Sequence, residues 1–248
     1  AWQGLLGNIA GSISCMGAGM SALNPVQSSG VDSFAGTEAK VRRATQGSNL
    51  KVLTDIYRET NNIVIWQREL SDTLKHSVDS FLSSNANFQA SMTVTPKSAV
   101  SSLSGALGNS GQTELSENIA ELVDMFCYLF GLKRAGLRLT ALDRAMCPKF
   151  HVDKVPCRLV TTFQGVATEW LPHQAVNRQK LGIGSHGKPD SESGLYQNQS
   201  DIQQLHCGDV ALLKGESWEG NENAGLVHRS PALQSGQRRL LLTLDFSD

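Results

Sequence analysis

Residues 137–165 read LRLTALDRAMCPKFHVDKVPCRLVTTFQG. Two short β-prone runs, Leu137–Leu142 and Cys157–Phe163, flank a turn-rich link that carries His151-Val152-Asp153. More runs of this kind follow, divided by turn residues: Asp209–Leu213 after Gly208, Gly225–Val227, and Arg239–Phe246. Short strands at such spacing predict a β-sandwich or barrel, so residues 137–248 are expected to form a double-stranded β-helix of the jelly-roll or cupin-like kind.

Upstream of Gly136 the periodicity is helical. Ile119, Leu122, Val123, Phe126 and Phe130 form one apolar stripe after Ser116, which has the chemistry of an N-cap, and the stripe ends at Gly131 and the basic Lys133 and Arg134. A helix this apolar must cover something, and the strands that follow are what it is expected to cover. Further upstream, Asn62–Trp66 and Phe88–Thr95 read as strands, and Leu70, Leu74, Val78, Phe81 and Leu82 recur at helical spacing. The Ser/Gly-rich stretch 101–112 reads as a loop. Residues 1–48 contain GSISCMGAGMSALNPVQSSG and read as a Gly/Ser-rich arm, because such a composition cannot order itself cheaply. The expected organisation is α+β. One domain spans 49–248, with an α/β support region (49–136) packed on the β-sandwich core (137–248). The polar insertion between Leu171 and Gln204 is too long for a hairpin turn and reads as a candidate active-site lid.

Of the 248 residues, 40% are apolar and 18% charged, and the net charge is −1. There is no global basic field to hold a nucleic-acid backbone or an anionic membrane, so neither is an expected partner. The apolar runs fall far short of the ~20 residues that span a bilayer. Five widely spaced cysteines suit reduced thiols better than a disulfide framework, and with no secretory pattern at the N-terminus the expected location is cytoplasmic.

The chemistry resides in His151, Asp153 and, 75 residues further on, His228. On an extended chain, positions i and i+2 point the same way, so an imidazole and a carboxylate stand side by side. A histidine from a later strand completes a 2-His-1-carboxylate face, which leaves positions of an octahedral Fe(II) open. The rival is a structural Zn(II) at Cys147, Cys157, Cys207 and His206, which lack the CxxC spacing of such sites. Smaller candidates are Trp170 as a pocket wall and Lys214, Glu216 and Trp218 at a pocket mouth, for which core packing and solvated turn charges are the plainer roles. Ser230 has no general base at recognisable spacing, and neither GxxxxGK[ST] nor GxGxxG occurs.

The strings 121–165, TEWLP (168–172), GDVALLKGESWEGN (208–221), GLVHRSP (225–231) and RRLLLTLDF (238–246) closely resemble a bacterial family known as domain of unknown function 1826, from about residue 49 to the C-terminus. The resemblance implies no set activity. Proximity of family members to genes of zinc homeostasis and metal-chaperone GTPases keeps a zinc-related role open. At the level of fold and metal face the chain also resembles Fe(II)/2-oxoglutarate-dependent oxygenases. In those enzymes an arginine about ten residues after the distal histidine grips the far carboxylate of 2-oxoglutarate, which here implies Arg238 or Arg239. Arg239 is preferred, since it shares a mixed face with Leu241, Thr243 and Asp245, whereas Arg238 shares an apolar one. The expected function is oxidation, with hydroxylation the expected outcome, of an unidentified small-molecule or protein substrate. The alternative is a non-catalytic zinc-binding or metal-sensing module using the same three ligands.

Overall fold

The computed structural model describes residues 41–108 and 113–247. The strands in chain order are β1 (Arg43–Gly47), β2 (Asn61–Trp66), β3 (Gln89–Val94), β4 (Ala135–Leu142), β5 (Cys157–Gln164), β6 (Glu169–Leu171), β7 (Gln203–Gln204), β8 (Val210–Lys214), β9 (Val227–Arg229) and β10 (Arg239–Phe246). The helices are α1 (Asp72–Ser84), α2 (Ala99–Ala106) and α3 (Thr113–Phe130). One sheet has the order β1-β2-β8-β5-β10-β4-β3 and a smaller one the order β7-β6-β9, extended beyond β9 by a bridge from His151 to His228.

From β4 onward the chain alternates between the sheets. It passes from β4 to the His151 bridge, back to β5, across to β6 and β7, back to β8, across to β9 and home to β10. That winding is a double-stranded β-helix, which buries two facing sheets with few free edges. The fold is therefore the expected α+β jelly roll, although β1, β2 and β3, which fall in the range read as a support region or arm, are strands of its large sheet rather than a layer packed on it.

Strand β10 shows how one sheet serves two cores. Leu242 lies opposite Leu139 and Thr161, and Thr243 lies opposite Arg138 and Val160. Because side chains alternate, Leu240, Leu242 and Leu244 join Leu139, Leu159 and Leu212 beneath the helices, where Val78, Phe81, Val123 and Phe126 close the cluster. The opposite face meets the smaller sheet through Val160, Ala211, Leu213, Trp170 and Leu226, with Ile63 and Ile65 from β2. Trp170 is thus core rather than pocket wall.

Four local readings are corrected. The stretch 101–112 is not loop throughout, because α2 occupies its first half. Ala99 and Leu103 are fully buried, and that burial overrides the weak helix propensity of the surrounding serines and glycine. Helix α3 begins at Thr113 instead of after Ser116, and Ser116 is a buried interior residue. Residues 43–47, inside the range read as arm, form β1, which pairs in parallel with β2. Residues 1–40 of that range lie outside the described residues. Finally, Lys214 is no solvated turn residue: it ends β8 and is 2% exposed.

The insertion 172–202 folds into short 3-10 turns and one helical turn (Asp190–Ser193), and a cluster of Phe150, Leu171, Leu195 and Val227 packs it against β9. No helix among the described residues is long and apolar enough to cross a membrane.

Candidate metal centre

His151 and His228 exchange backbone hydrogen bonds, His151 N to His228 O and His228 N to His151 O, each 3.0 Å. A pair that exchanges both bonds faces the same way across the two strands, and the ring centroids are 4.6 Å apart. Each imidazole directs Nδ1 at a backbone carbonyl, His151 at Lys149 O (2.9 Å) and His228 at Leu226 O (3.2 Å). A carbonyl can only accept, so Nδ1 carries the proton and Nε2 keeps its lone pair.

Asp153 follows two residues after the bridge, outside any strand. Its backbone carbonyl accepts from Glu216 N at 2.9 Å. Gly215 permits that approach: a Cβ there would meet Val155 O and lie 2.7 Å from Asp153 O. The carboxylate then points between the rings. Oδ2 is 3.3 Å from His228 Nε2 and Oδ1 is 3.9 Å from His151 Nε2. The three ligating atoms lie within 4.8 Å of one another. Three lone-pair-bearing atoms that converge repel one another unless a proton or cation lies among them, and a divalent cation satisfies all three together.

Electrostatics prepare the group for a cation. Burial alone would raise the Asp153 carboxyl, but the neighbouring His228, Arg158 and His151 hold it at about 2. Burial, and then His228, lower His151, which keeps it the neutral base that a metal ligand must be. Both histidines line a cavity of about 70 Å³ together with Arg138, Arg158, Thr168 and Thr243.

Arg239 is 1% exposed and lies on the inner face of β10. Nη2 donates to Thr168 Oγ1 (2.7 Å) and to Thr162 Oγ1 (3.1 Å), and Nε donates to Thr162 Oγ1 (3.2 Å). No carboxylate pairs with it among the described residues, and burial pulls the guanidinium down to about 10. Thr168 and Leu241 line the histidine cavity, so Arg239 stands one hydrogen bond behind its wall. Arg238 precedes the strand and donates to Ala86 O at 2.8 Å, away from this cavity.

The rival zinc set does not assemble. Cys157 is fully buried beneath the helices, Cys207 is exposed and bonded to Phe163 O, and among the described residues only His151, Asp153 and His228 converge as a metal-ligating group. Sequence reasoning missed Arg158, Thr162 and Thr168. A charge at position 158 in an apolar and threonine-rich strand was the available signal, but its anchor Asp245 is on β10 and emerges only with the register.

Residues 47–245 match the family described as "Protein of unknown function (DUF1826)". The chain belongs to the DUF1826 family. No curated protein matches this DUF1826 chain in sequence. Among solved structures it is similar to the dioxygenase for auxin oxidation of rice, with TM-score 0.45, 11% identity, and 83% of this chain and 82% of that one covered. It is also similar to HygX from Streptomyces hygroscopicus with iron bound, with TM-score 0.43, 11% identity, and 80% of this chain and 86% of that one covered. The corresponding values for a Pseudomonas putida prolyl-4-hydroxylase are 0.39, 12%, and 79% and 98%.

Proposed function

We propose that this protein is an Fe(II)- and 2-oxoglutarate-dependent oxygenase acting on a substrate still to be identified. His151 Nε2, His228 Nε2 and the Asp153 carboxylate hold the metal, and the guanidinium of Arg239 takes the far carboxylate of 2-oxoglutarate. Arg239 is the observation that carries the reading. A buried cation whose partners are two hydroxyls has the desolvation cost of its charge without an anion to offset it, and a flat guanidinium fork matches a carboxylate. Hydroxyls suit the exchange, because Thr162 and Thr168 can rotate to donate to an arriving carboxylate. Val160 and Leu241 on the cavity wall limit water around the bound acid. When bound, iron would let dioxygen supply the oxidising chemistry, one oxygen atom passing into succinate as 2-oxoglutarate loses carbon dioxide and the other into the substrate.

The test begins with elemental analysis of protein purified without a metal-binding tag, followed by anaerobic titration with Fe(II) and 2-oxoglutarate. Under air, succinate release with Fe(II) is expected in the wild type and is expected to vanish in His151→Ala. Tight Zn(II) binding with no succinate from the Fe(II)-loaded protein would replace this reading by the metal-binding module of zinc homeostasis.

A further inference from the structure

We propose that Arg158 is a positioning residue that fixes the carboxylate of Asp153 as a one-oxygen metal ligand, anchored in turn by Asp245. This rests on the metal reading above and deepens it. Arg158 is on β5 and Asp245 on β10, side by side in the large sheet and facing the smaller one. Arg158 Nε donates to Asp245 Oδ1 at 2.8 Å and Nη2 donates to Asp245 Oδ2 at 2.9 Å, a two-bond fork that leaves the guanidinium no freedom to turn. The remaining nitrogen, Nη1, donates to Asp153 Oδ2 at 2.7 Å. All three bonds are within the range of charge-assisted contacts, and both carboxylates are mostly buried.

The arrangement answers a need created by the backbone. His151 and His228 are fixed by the bridge between them, but Asp153 lies where the chain leaves the small sheet for β5 and no ladder holds it. Its backbone is tied to Glu216, which leaves the side-chain rotation unset. Arg158 sets it. With Oδ2 committed to Nη1, the carboxylate cannot turn both oxygens equally toward one ion, and Oδ1 remains directed to the His151 side. One oxygen and two imidazole nitrogens occupy fewer positions around a metal than a two-oxygen carboxylate would, so more remain for ligands that react.

Lysine separates geometry from charge, since Arg158→Lys keeps the positive charge but has no fork. The probe is Co(II), followed by its visible absorption under anaerobic conditions, with circular dichroism and thermal melting as controls for folding. If Arg158 positions Asp153, Arg158→Lys weakens Co(II) binding by about 10–100-fold and changes the band shape, as loss of an outer partner does. Asp245→Asn, which leaves Arg158 and Asp153 in place and removes only the anchor, is expected to weaken it in the same direction. A folded Arg158→Lys protein with wild-type Co(II) affinity and spectrum overturns the proposal. If Arg158→Lys does not fold, Asp245→Asn decides, and an unchanged affinity and spectrum there overturns it too. A wild-type chain that binds no Co(II) is a different failure: it removes the metal reading and this inference with it.

Discussion

Arg239 and Arg158 are both guanidiniums on the inner face of the large sheet, and they differ in one respect that decides what each does. Arg158 is matched by two carboxylates, whereas Arg239 has only threonine hydroxyls. Charge without an anion in a desolvated place costs several kcal/mol, and neutral hydrogen bonds recover only part of it. A residue that costs stability in the free protein is expected to return it on binding, the usual trade between stability and function. Arg239→Met, similar in reach and uncharged, is therefore expected to leave stability unchanged or raise it by about 1–4 kcal/mol in urea unfolding. The same variant should weaken 2-oxoglutarate binding at least 100-fold in an anaerobic titration, while Arg239→Lys weakens it about tenfold or more with metal affinity nearly unchanged. Loss of stability together with intact 2-oxoglutarate binding would assign Arg239 to structure alone.

Among the elements, α3 shows most clearly what burial does. Ten of its residues are buried, Phe126 completely, and Phe126 makes an edge contact of 5.0 Å with Phe130 and one of 5.7 Å with Phe246 on β10. The hydroxyl of Ser116 is buried on the same helix without a hydrogen-bond partner. Ser116→Ala is expected to stabilise the fold by about 1 kcal/mol, because it removes an unsatisfied group and improves helix propensity. Phe126→Ala is expected to destabilise it by about 3–5 kcal/mol through a cavity under the sheet. Both are read from denaturant midpoints. The apolar stripe of α3 and the strands β4, β5, β8 and β10 were legible in the sequence, since the stripe repeats over several turns and the strands are short apolar runs bounded by turn residues. Helix α2 was not, because only Ala99 and Leu103 carry its burial and three serines and a glycine weaken its helical pattern. His151, Asp153 and His228 were legible from spacing. Arg158, Thr162 and Thr168 were not, because their roles depend on which strand lies beside β5, and that is set by the winding of the whole chain.

Across the molecule, the large sheet separates two environments, an apolar core under the helices and a mixed interior between the sheets where His151, Asp153 and His228 converge. Lys214 is the exception to that division. It ends β8 on the helix side opposite Cys157, donates to Arg58 O at 3.1 Å, and its ammonium lies 4.6 Å from the Trp218 ring. Burial, with some help from Arg42 and against the pull of Cys157 and Glu59, lowers Lys214 to about 8. In the unfolded chain its value is about 10.4. Below pH 8 both states are protonated and the folded state bears the full cost of the buried charge. Between about pH 8 and 10 the unfolded state binds more protons than the folded one, so this group makes stability rise with pH. Cys157 acts the other way: burial pushes its thiol up, so above about pH 8.5 the unfolded chain loses a proton that the folded one keeps. The sum in the wild type is therefore shallow, but the comparison with Lys214→Met isolates the ammonium because Cys157 is common to both proteins. Lys214→Met is expected to be more stable than the wild type at pH 7, by about 1–2 kcal/mol. Its advantage should shrink steadily when urea midpoints are measured again at pH 8.5 and pH 10. A difference that stays constant over that range would mean that Lys214 titrates as a solvated lysine does, and that its position under Trp218 imposes no cost on its charge.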